Sequence, residues 1–194
     1  MEVKEAKTLI AAMEALVNTR LKQFIYGTDD ETLASYLGKE LLRTESTIAF
    51  AESCTGGLAS SLVTDVPGSS EYLLGSAVTY SNMAKHKLIN VSEESLESYG
   101  AVSWQVACEM AQGVRELFGT TYGVGITGIA GPGGATEDKP VGLVYMAVAD
   151  ADGVKWAKHV FGGTRTNNKM RSALTAISMV IDRIKEKETE NKDK

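Results

Sequence analysis

The residues best suited to chemistry lie at 51–57, in the string Ala-Glu-Ser-Cys-Thr-Gly-Gly. An apolar run at 47–50 precedes the string, and small and apolar residues follow it from Leu58, a pattern typical of a strand, a tight turn and a helix. Such a turn exposes one side chain and points backbone N–H groups at the same space. Ser53 could then act as a nucleophile beside an oxyanion hole. The same pattern also fits an ordinary glycine-rich turn with a hydroxyl as helix N-cap. The oxyanion donors would be the N–H groups of Cys54, Thr55 and Gly56.

A serine nucleophile needs a group that accepts its proton. The two histidines, His86 and His159, are far apart in sequence, so a Ser-His-Asp triad is poorly supported. Lys85 and Tyr80 lie near the end of a second predicted strand at 76–80, and a lysine desolvated in a cleft can be neutral near pH 7. Tyr80 could relay the proton or donate one to a leaving group. A solvated Lys85 and a core-packed Tyr80 are the alternatives.

Two further stretches could bind a phosphate. The loop at 128–134, Gly-Ile-Ala-Gly-Pro-Gly-Gly, follows a third predicted strand, and its N–H groups could form an anion nest. Arg165 follows two glycines near the start of the last predicted helix, which also suits a phosphate. A mobile surface loop and a surface arginine are the alternatives. Ligands collect beyond the carboxyl ends of strands in open α/β sheets, so we expect these stretches to meet. The predicted substrate contacts there are Thr79, Gly128, Ala130, Gly131 and Arg165.

The elements that must position these residues alternate along the chain. Apolar periodicity predicts helices at 3–20, from Leu33 to Leu41, at 58–65, 83–89 and 104–118, and from about 165 onward. Strands are predicted at 47–50, 76–80, 122–127, 141–149 and 154–161, the last two joined by a hairpin turn at 150–153. Thr28 and Glu31 fit a capping box for the second helix. This order predicts the α/β class, as a three-layer α/β/α domain with a mixed sheet.

The chain divides by composition into three parts. Residues 1–28 read as a helical extension or linker remnant, residues 29–186 as the domain, and residues 187–194 as a charged tail that frays. The apolar stripes on both terminal helices leave room for a homo-oligomer.

Composition narrows the classes of function. The 194 residues are 43% hydrophobic and 23% charged, as in a soluble globular protein, and the net charge of −5 argues against a general nucleic-acid binder. No apolar run approaches the roughly 18 residues that span a bilayer, and residues 1–5 lack a signal-peptide pattern, so a cytoplasmic location and no membrane partner are predicted. Cys54 and Cys108 give neither a disulfide framework nor a CxxC site, so we expect no metal and no cofactor.

Four ordered strings carry a resemblance to a known family. They lie at 51–57, 78–85 (Val-Thr-Tyr-Ser-Asn-Met-Ala-Lys), 100–103 (Gly-Ala-Val-Ser), and 128–134 with 139–142. Together they resemble the CinA C-terminal domain family, the nicotinamide mononucleotide (NMN) deamidases, over about residues 30–184. In longer CinA proteins a domain similar to molybdopterin-binding domains precedes this one, and residues 24–27 resemble the connection to it.

The resemblance implies an amidohydrolase that converts NMN and water to nicotinate mononucleotide and ammonia. It also implies a serine nucleophile assisted by a tyrosine and a lysine, which fall on Ser53, Tyr80 and Lys85. Two other classes of function compete with this one. The first is a module that binds a mononucleotide without turnover, and the second is an interaction protein whose N-terminal helix docks a partner.

Overall fold

The computed structural model describes residues 3–21 and 25–192, which form seven α-helices, one short 3-10 helix (Ser69–Glu71) and five strands. The helices are α1 (Val3–Leu21), α2 (Leu33–Arg43), α3 (Leu58–Thr64), α4 (Asn82–Ile89), α5 (Glu93–Ser98), α6 (Trp104–Phe118) and α7 (Arg165–Lys192). The strands are β1 (Ile48–Glu52), β2 (Leu73–Val78), β3 (Tyr122–Gly128), β4 (Leu143–Asp150) and β5 (Gly153–Val160).

The strands form one mixed sheet in the order β2-β1-β3-β4-β5. The strand β1 runs parallel to both β2 and β3, whereas β4 is antiparallel to both β3 and β5. The predicted mixed sheet and the antiparallel hairpin are therefore confirmed. Because β1, β2 and β3 run in one direction, their carboxyl ends lie at the same edge of the sheet.

The two faces of the sheet differ in side-chain size. Large side chains such as Phe50 and Ile126 pack on the face covered by α2, α3 and α7. The opposite face carries small residues and is covered mainly by α6. A Cβ atom on Gly125 would lie 2.3 Å from the carbonyl oxygen of Ala107 in α6. Glycine in β3 therefore lets the backbone of α6 approach the sheet closely.

Several local predictions were wrong in detail. The capping box of α2 is formed by Thr32 and Ser35, and not by Thr28 and Glu31. The N–H of Glu31 instead donates to the carbonyl of Thr28 in a turn. The strand β2 begins three residues before the predicted position and ends at Val78, so that Tyr80 lies beyond the strand.

The first and last helices differ in how they contact the rest of the domain. Helix α1 has no buried residue, whereas α7 continues to Lys192 through most of the predicted frayed tail. Lys187 is held there by ion pairs with Asp150 and Asp152. The predictions for residues 1–2, 22–24 and 193–194 lie outside the described residues. No helix within the described ranges is long and apolar enough to cross a membrane.

Candidate active site

Ser53 lies at the carboxyl end of β1, where the chain leaves the sheet. Its N–H donates to the carbonyl of Ile126 in β3 at 2.9 Å, and its carbonyl accepts from the N–H of Gly56 at 3.1 Å. Gly56 and Gly57 then adopt left-handed backbone angles, with φ of +64° and +92°. Two successive left-handed residues turn the chain sharply into α3, which glycine does without steric cost. The predicted strand–turn–helix arrangement is present.

The first turn of α3 is occupied by a carboxylate from the same chain. Glu52 is fully buried, and its oxygens accept hydrogen bonds from the N–H groups of Gly57, Ala59 and Ser60 at 2.8–3.1 Å. The Ser60 hydroxyl lies 2.9 Å from the same carboxylate. These N–H groups are therefore not free to bind a ligand, although a helix N-terminus often binds an anion.

Lys85 contacts Ser53 directly. Its Nζ lies 3.0 Å from Ser53 Oγ and donates to the carbonyl of Thr79 at 2.7 Å. The side chain is only 1% exposed, so the alternative of a solvated lysine is wrong. Ser81 caps α4 by accepting from the N–H of Ala84, which places Lys85 in the first turns of α4. A helix that begins just beyond β2 thus delivers an amine to the carboxyl end of β1.

Burial lowers the pKa of Lys85 to about 8. Among the described residues no carboxylate forms an ion pair with Lys85. The adjacent Cys54 thiol does not supply a negative charge either, because burial raises its pKa to about 12. With a pKa near 8, about a tenth of the lysine side chains are neutral at pH 7, which is far more than for an exposed lysine. A neutral amine at 3.0 Å from a serine hydroxyl can accept its proton.

Tyr80 lies at the mouth of the site. Its side chain is 63% exposed, and its hydroxyl accepts a hydrogen bond from Arg165 Nη2 at 3.1 Å. The alternative of a core-packed tyrosine is therefore wrong. Arg165 also donates through Nη1 to the carbonyl of Gly131 at 2.7 Å, which links the loop at 128–134 to Tyr80 across the mouth.

The start of that loop is anchored. The N–H of Ile129 donates to the carbonyl of Leu143, and the carbonyl of Ile129 accepts from the N–H of Gly142. The side-chain amide of Asn168, in α7, donates to the carbonyl of Ala130 at 3.1 Å. These bonds tie Ile129 and Ala130 to the body of the domain, unlike the mobile loop of the alternative interpretation.

A cavity of about 270 Å³ lies between these elements. It is lined by Ser53, Cys54, Tyr80, Lys85, Ala101, Val102, Thr127, Gly128, Ile129, Ala130, Gly131, Gly133, Gly134 and Arg165.

Three predicted contacts do not line the cavity. Thr55 and Thr79 are fully buried, and Thr79 serves through its carbonyl, which accepts from Lys85. Gly56 is exposed to solvent, outside the cavity lining. The other eight predicted residues do line the cavity, so the structure brings the three stretches together as expected.

Sequence reasoning missed some residues near the site. Ala101 and Val102 line the cavity because the hydroxyl of Thr127 donates to the carbonyl of Ala101 at 2.7 Å. The Gly-Ala-Val-Ser string at 100–103 was the available signal. Lys169, in α7, brings its ammonium group within 3.8 Å of the space that a Cβ atom on Gly56 would fill. Nothing in the local sequence distinguishes Lys169 from a surface lysine.

Fold and site together define a class: a three-layer α/β protein with a buried serine–lysine pair at the carboxyl edge of a mixed sheet. The model of the CinA C-terminal domain matches residues 30–184. The chain therefore belongs to this family.

Similarity to individual proteins agrees with the family. The chain is 49% identical over 175 residues to a competence-damage inducible protein of Moorella thermoacetica, which covers 90% of this chain and 42% of that protein. It is 44% identical over 184 residues to a CinA-like protein of Syntrophomonas wolfei, which covers 95% and 44%. The chain thus spans less than half the length of these curated relatives.

Solved structures share the fold. The competence/damage inducible protein CihA of Agrobacterium tumefaciens superimposes with a TM-score of 0.77 at 37% identity, covering 81% of this chain and 97% of that one. A CinA superfamily protein of Escherichia coli gives a TM-score of 0.74 at 28% identity, covering 84% and 97%.

Proposed function

We propose that this chain is an amidohydrolase that converts NMN and water to nicotinate mononucleotide and ammonia, with Ser53 as nucleophile. The observation that carries the proposal is the 3.0 Å contact between Ser53 Oγ and Nζ of Lys85, a buried lysine whose pKa lies near 8. A hydroxyl beside a partly neutral amine is an activated nucleophile. The family resemblance supplies the substrate, because the names of the relatives state none.

The reaction begins with proton transfer from Ser53 to neutral Lys85. Ser53 Oγ attacks the carboxamide carbon of NMN, and the carbonyl oxygen becomes an oxyanion. Lys85 then returns the proton to the nitrogen as the C–N bond breaks, and ammonia leaves behind an acyl-enzyme. Water repeats the sequence: Lys85 takes its proton, hydroxide adds to the ester carbon, and Ser53 leaves with the proton from Lys85. Nicotinate mononucleotide is released.

The direct contact favours Lys85 itself as the proton acceptor, without Tyr80 as a relay. Tyr80 bonds to Arg165 at the mouth of the cavity, and this position suits substrate binding. We assign the phosphate of NMN to Arg165 and the loop at 128–134, which line the cavity. The guanidinium of Arg165 matches the geometry of a phosphate.

Ammonia release from NMN tests the proposal. Wild type should release ammonia with a stoichiometric yield of nicotinate mononucleotide, and Ser53→Ala should abolish turnover. The exposed Ser61, in α3, offers a matched control, and Ser61→Ala should retain wild-type kcat. A Ser53→Ala variant with full activity would remove Ser53 as the nucleophile. Binding of NMN by calorimetry without ammonia release would favour the non-catalytic binding module.

Exposed apolar side chains on α1 support the hypothesis that the N-terminal helix docks a partner. Its apolar side chains Leu9, Ile10 and Met13 are each more than half exposed. We propose that they contribute to a homo-oligomer, which sedimentation of the full chain and of a chain lacking residues 1–21 would test. The predicted cytoplasmic location and the absence of a metal or cofactor requirement remain predictions.

A further inference from the structure

A second buried ionisable group lies next to the nucleophile and has no role in the proposed chemistry. Glu52 directly precedes Ser53, and its exposed fraction is 0%. Oε2 accepts from the N–H groups of Gly57 and Ala59, and Oε1 accepts from the N–H of Ser60 with the Ser60 hydroxyl beside it. Both oxygens thus face donors, an arrangement that fits the ionised form, which only accepts hydrogen bonds.

The position of this charge also explains how it is tolerated. A buried carboxylate is costly unless hydrogen bonds replace its hydration. Three of the donors are backbone N–H groups of the first turn of α3, where the helix dipole also favours an anion. Glu52 is therefore an internal anion that ties the end of β1 to the start of α3.

The backbone of Glu52 makes a second connection. Its carbonyl accepts from the N–H of Thr79 at 2.8 Å, and the carbonyl of Thr79 accepts from Lys85. One residue therefore links the nucleophile, the lysine beside it and α3. Both ends of the turn at 53–56 are fixed by these bonds.

The same contacts decide which N–H groups remain for an oxyanion. The N–H of Ser53 donates to Ile126, that of Gly56 donates to Ser53, and those of Gly57, Ala59 and Ser60 serve Glu52. Within the described part of the chain, no oxygen accepts from the N–H groups of Cys54 and Thr55. Both N–H groups are instead directed at the Cys54 sulfur, which is only a weak acceptor.

We infer that Glu52 is a positioning residue of this site: its carboxylate holds the turn so that Ser53 Oγ faces Lys85 and the cavity. The inference rests on the proposed function, since it assigns Glu52 a part in that same reaction. Because the Glu52 carboxylate occupies the N-terminus of α3, the anionic part of the substrate would bind at Arg165 and not at α3.

The substitution Glu52→Gln tests this role. Glutamine keeps the size of the side chain but replaces one acceptor oxygen with an amide N–H₂, which faces backbone donors. We expect kcat for ammonia release to fall about 10²-fold, the effect typical of a displacement of roughly 1 Å in a reacting group, with KM changed less than about threefold. Ser61→Ala, also on α3, is the control and should keep both values.

A second readout separates this inference from the identity of the substrate. Phenylmethylsulfonyl fluoride sulfonylates an activated serine, and its rate of reaction with Ser53, followed by mass spectrometry, needs no NMN. The rate should fall in Glu52→Gln in parallel with kcat. A wild type that reacts at Ser53 but releases no ammonia would refute the proposed substrate and leave the role of Glu52 intact.

The opposite outcomes are equally definite. A folded Glu52→Gln variant with wild-type kcat and wild-type sulfonylation rate overturns the inference, and so does a loss that matches the unfolded fraction measured by circular dichroism. If Glu52→Gln does not fold, Glu52→Asp decides, because it keeps the charge one methylene short of α3. A folded Asp variant with unchanged kcat would also overturn the inference.

Discussion

Two buried cations lie at opposite edges of the same sheet, and their surroundings differ. Lys85, at the carboxyl ends of β1 and β2, has a hydroxyl and a carbonyl as partners. Arg183, at the other edge, donates to both oxygens of Asp150, with Nε–Oδ2 at 2.6 Å and Nη2–Oδ1 at 3.2 Å. Lys85 is therefore buried without a carboxylate partner, whereas Arg183 is buried against the carboxylate of Asp150.

This difference in partners makes Lys85 suited to proton transfer and the Arg183–Asp150 pair suited to stabilising the fold. Burial without a carboxylate lowers the pKa of Lys85 to about 8, which makes the neutral amine available and disfavours the charged folded state. Burial alone would raise the pKa of Asp150, but hydrogen bonds from Arg183 and the Asp152 amide, with the charge of Lys187, hold it below its ordinary value. The pair therefore stays ionised and fastens the β4–β5 hairpin to α7. We expect substitutions at the two edges to have opposite consequences.

The largest effect is expected from Lys85→Met. This substitution removes the proton acceptor of Ser53, so kcat/KM for ammonia release should fall about 10³-fold or more. The free energy of unfolding at pH 7 should not fall, because a buried charge with a lowered pKa is removed. Steady-state kinetics and urea unfolding check the two parts. A large loss of stability in this variant would contradict the comparison.

Next in size is Arg183→Met. It leaves Asp150 buried with only Lys187 nearby, so the free energy of unfolding should fall by about 3–5 kcal/mol. Because Arg183 lies at the edge of the sheet away from Ser53, kcat measured on folded protein should stay at the wild-type value. The double variant Arg183→Met with Asp150→Asn carries no unpaired carboxylate and should regain part of the loss. Equal loss in the single and double variants would mean that packing, and not charge, dominates this edge.

A smaller effect is expected from pH. Below pH 8 the neutral fraction of Lys85 rises about tenfold per pH unit, so kcat/KM should rise with pH and level off above about 8. The folded-state pKa lies below that of the unfolded chain, so the unfolded state binds more protons between these two values. Stability should therefore increase with pH from about 8 upward, and this slope should be absent in Lys85→Met.

Asp150 predicts a slope of the same sign at lower pH, because its pKa is also lowered in the folded state. Its pKa is lowered in the folded state, so its contribution is present above the unfolded value and is lost as pH falls through the folded one. Acid unfolding below about pH 4 should therefore be less steep in the double variant at Arg183 and Asp150.

The kinetic prediction for Lys85 has its own test. If kcat/KM of the wild type did not rise with pH up to about 8, the assignment of Lys85 as proton acceptor would be contradicted.

These contrasts show what the sequence could and could not predict. The strand–turn–helix around Ser53 and the position of Lys85 just beyond β2 follow from local patterns, and the parallel strands bring them to one edge. The burial of Lys85 could not be predicted, because it depends on how α4 packs against β1 and α6. Asp150 had the local pattern of a hairpin turn, and its partner Arg183 lies 33 residues further along the chain.

Glu52 was missed for a similar reason. A capping residue is expected directly before a helix. Glu52 reaches the first turn of α3 from the end of β1, five to eight residues earlier, across two left-handed glycines. The acid before Ser53 and the Gly-Gly pair after it were visible, but only the turn geometry joins them. Gly125 in β3 offered a clearer signal, since glycine inside a strand indicates a close approach of another backbone.

The smallest effect on stability is expected from the exposed ion pair next to Arg183. Lys155 forms an ion pair with Glu186, which also lies 3.5 Å from Arg183, but both partners are about half exposed. Lys155→Met should therefore reduce the free energy of unfolding by less than about 1 kcal/mol. The reduction should disappear in roughly 1 M salt, where surface charges are screened. Arg183→Met, measured at the same ionic strengths, supplies the buried counterpart. If Lys155→Met cost as much as Arg183→Met, burial would not be what distinguishes these charges, and the contrast between Lys85 and Arg183 would need another explanation.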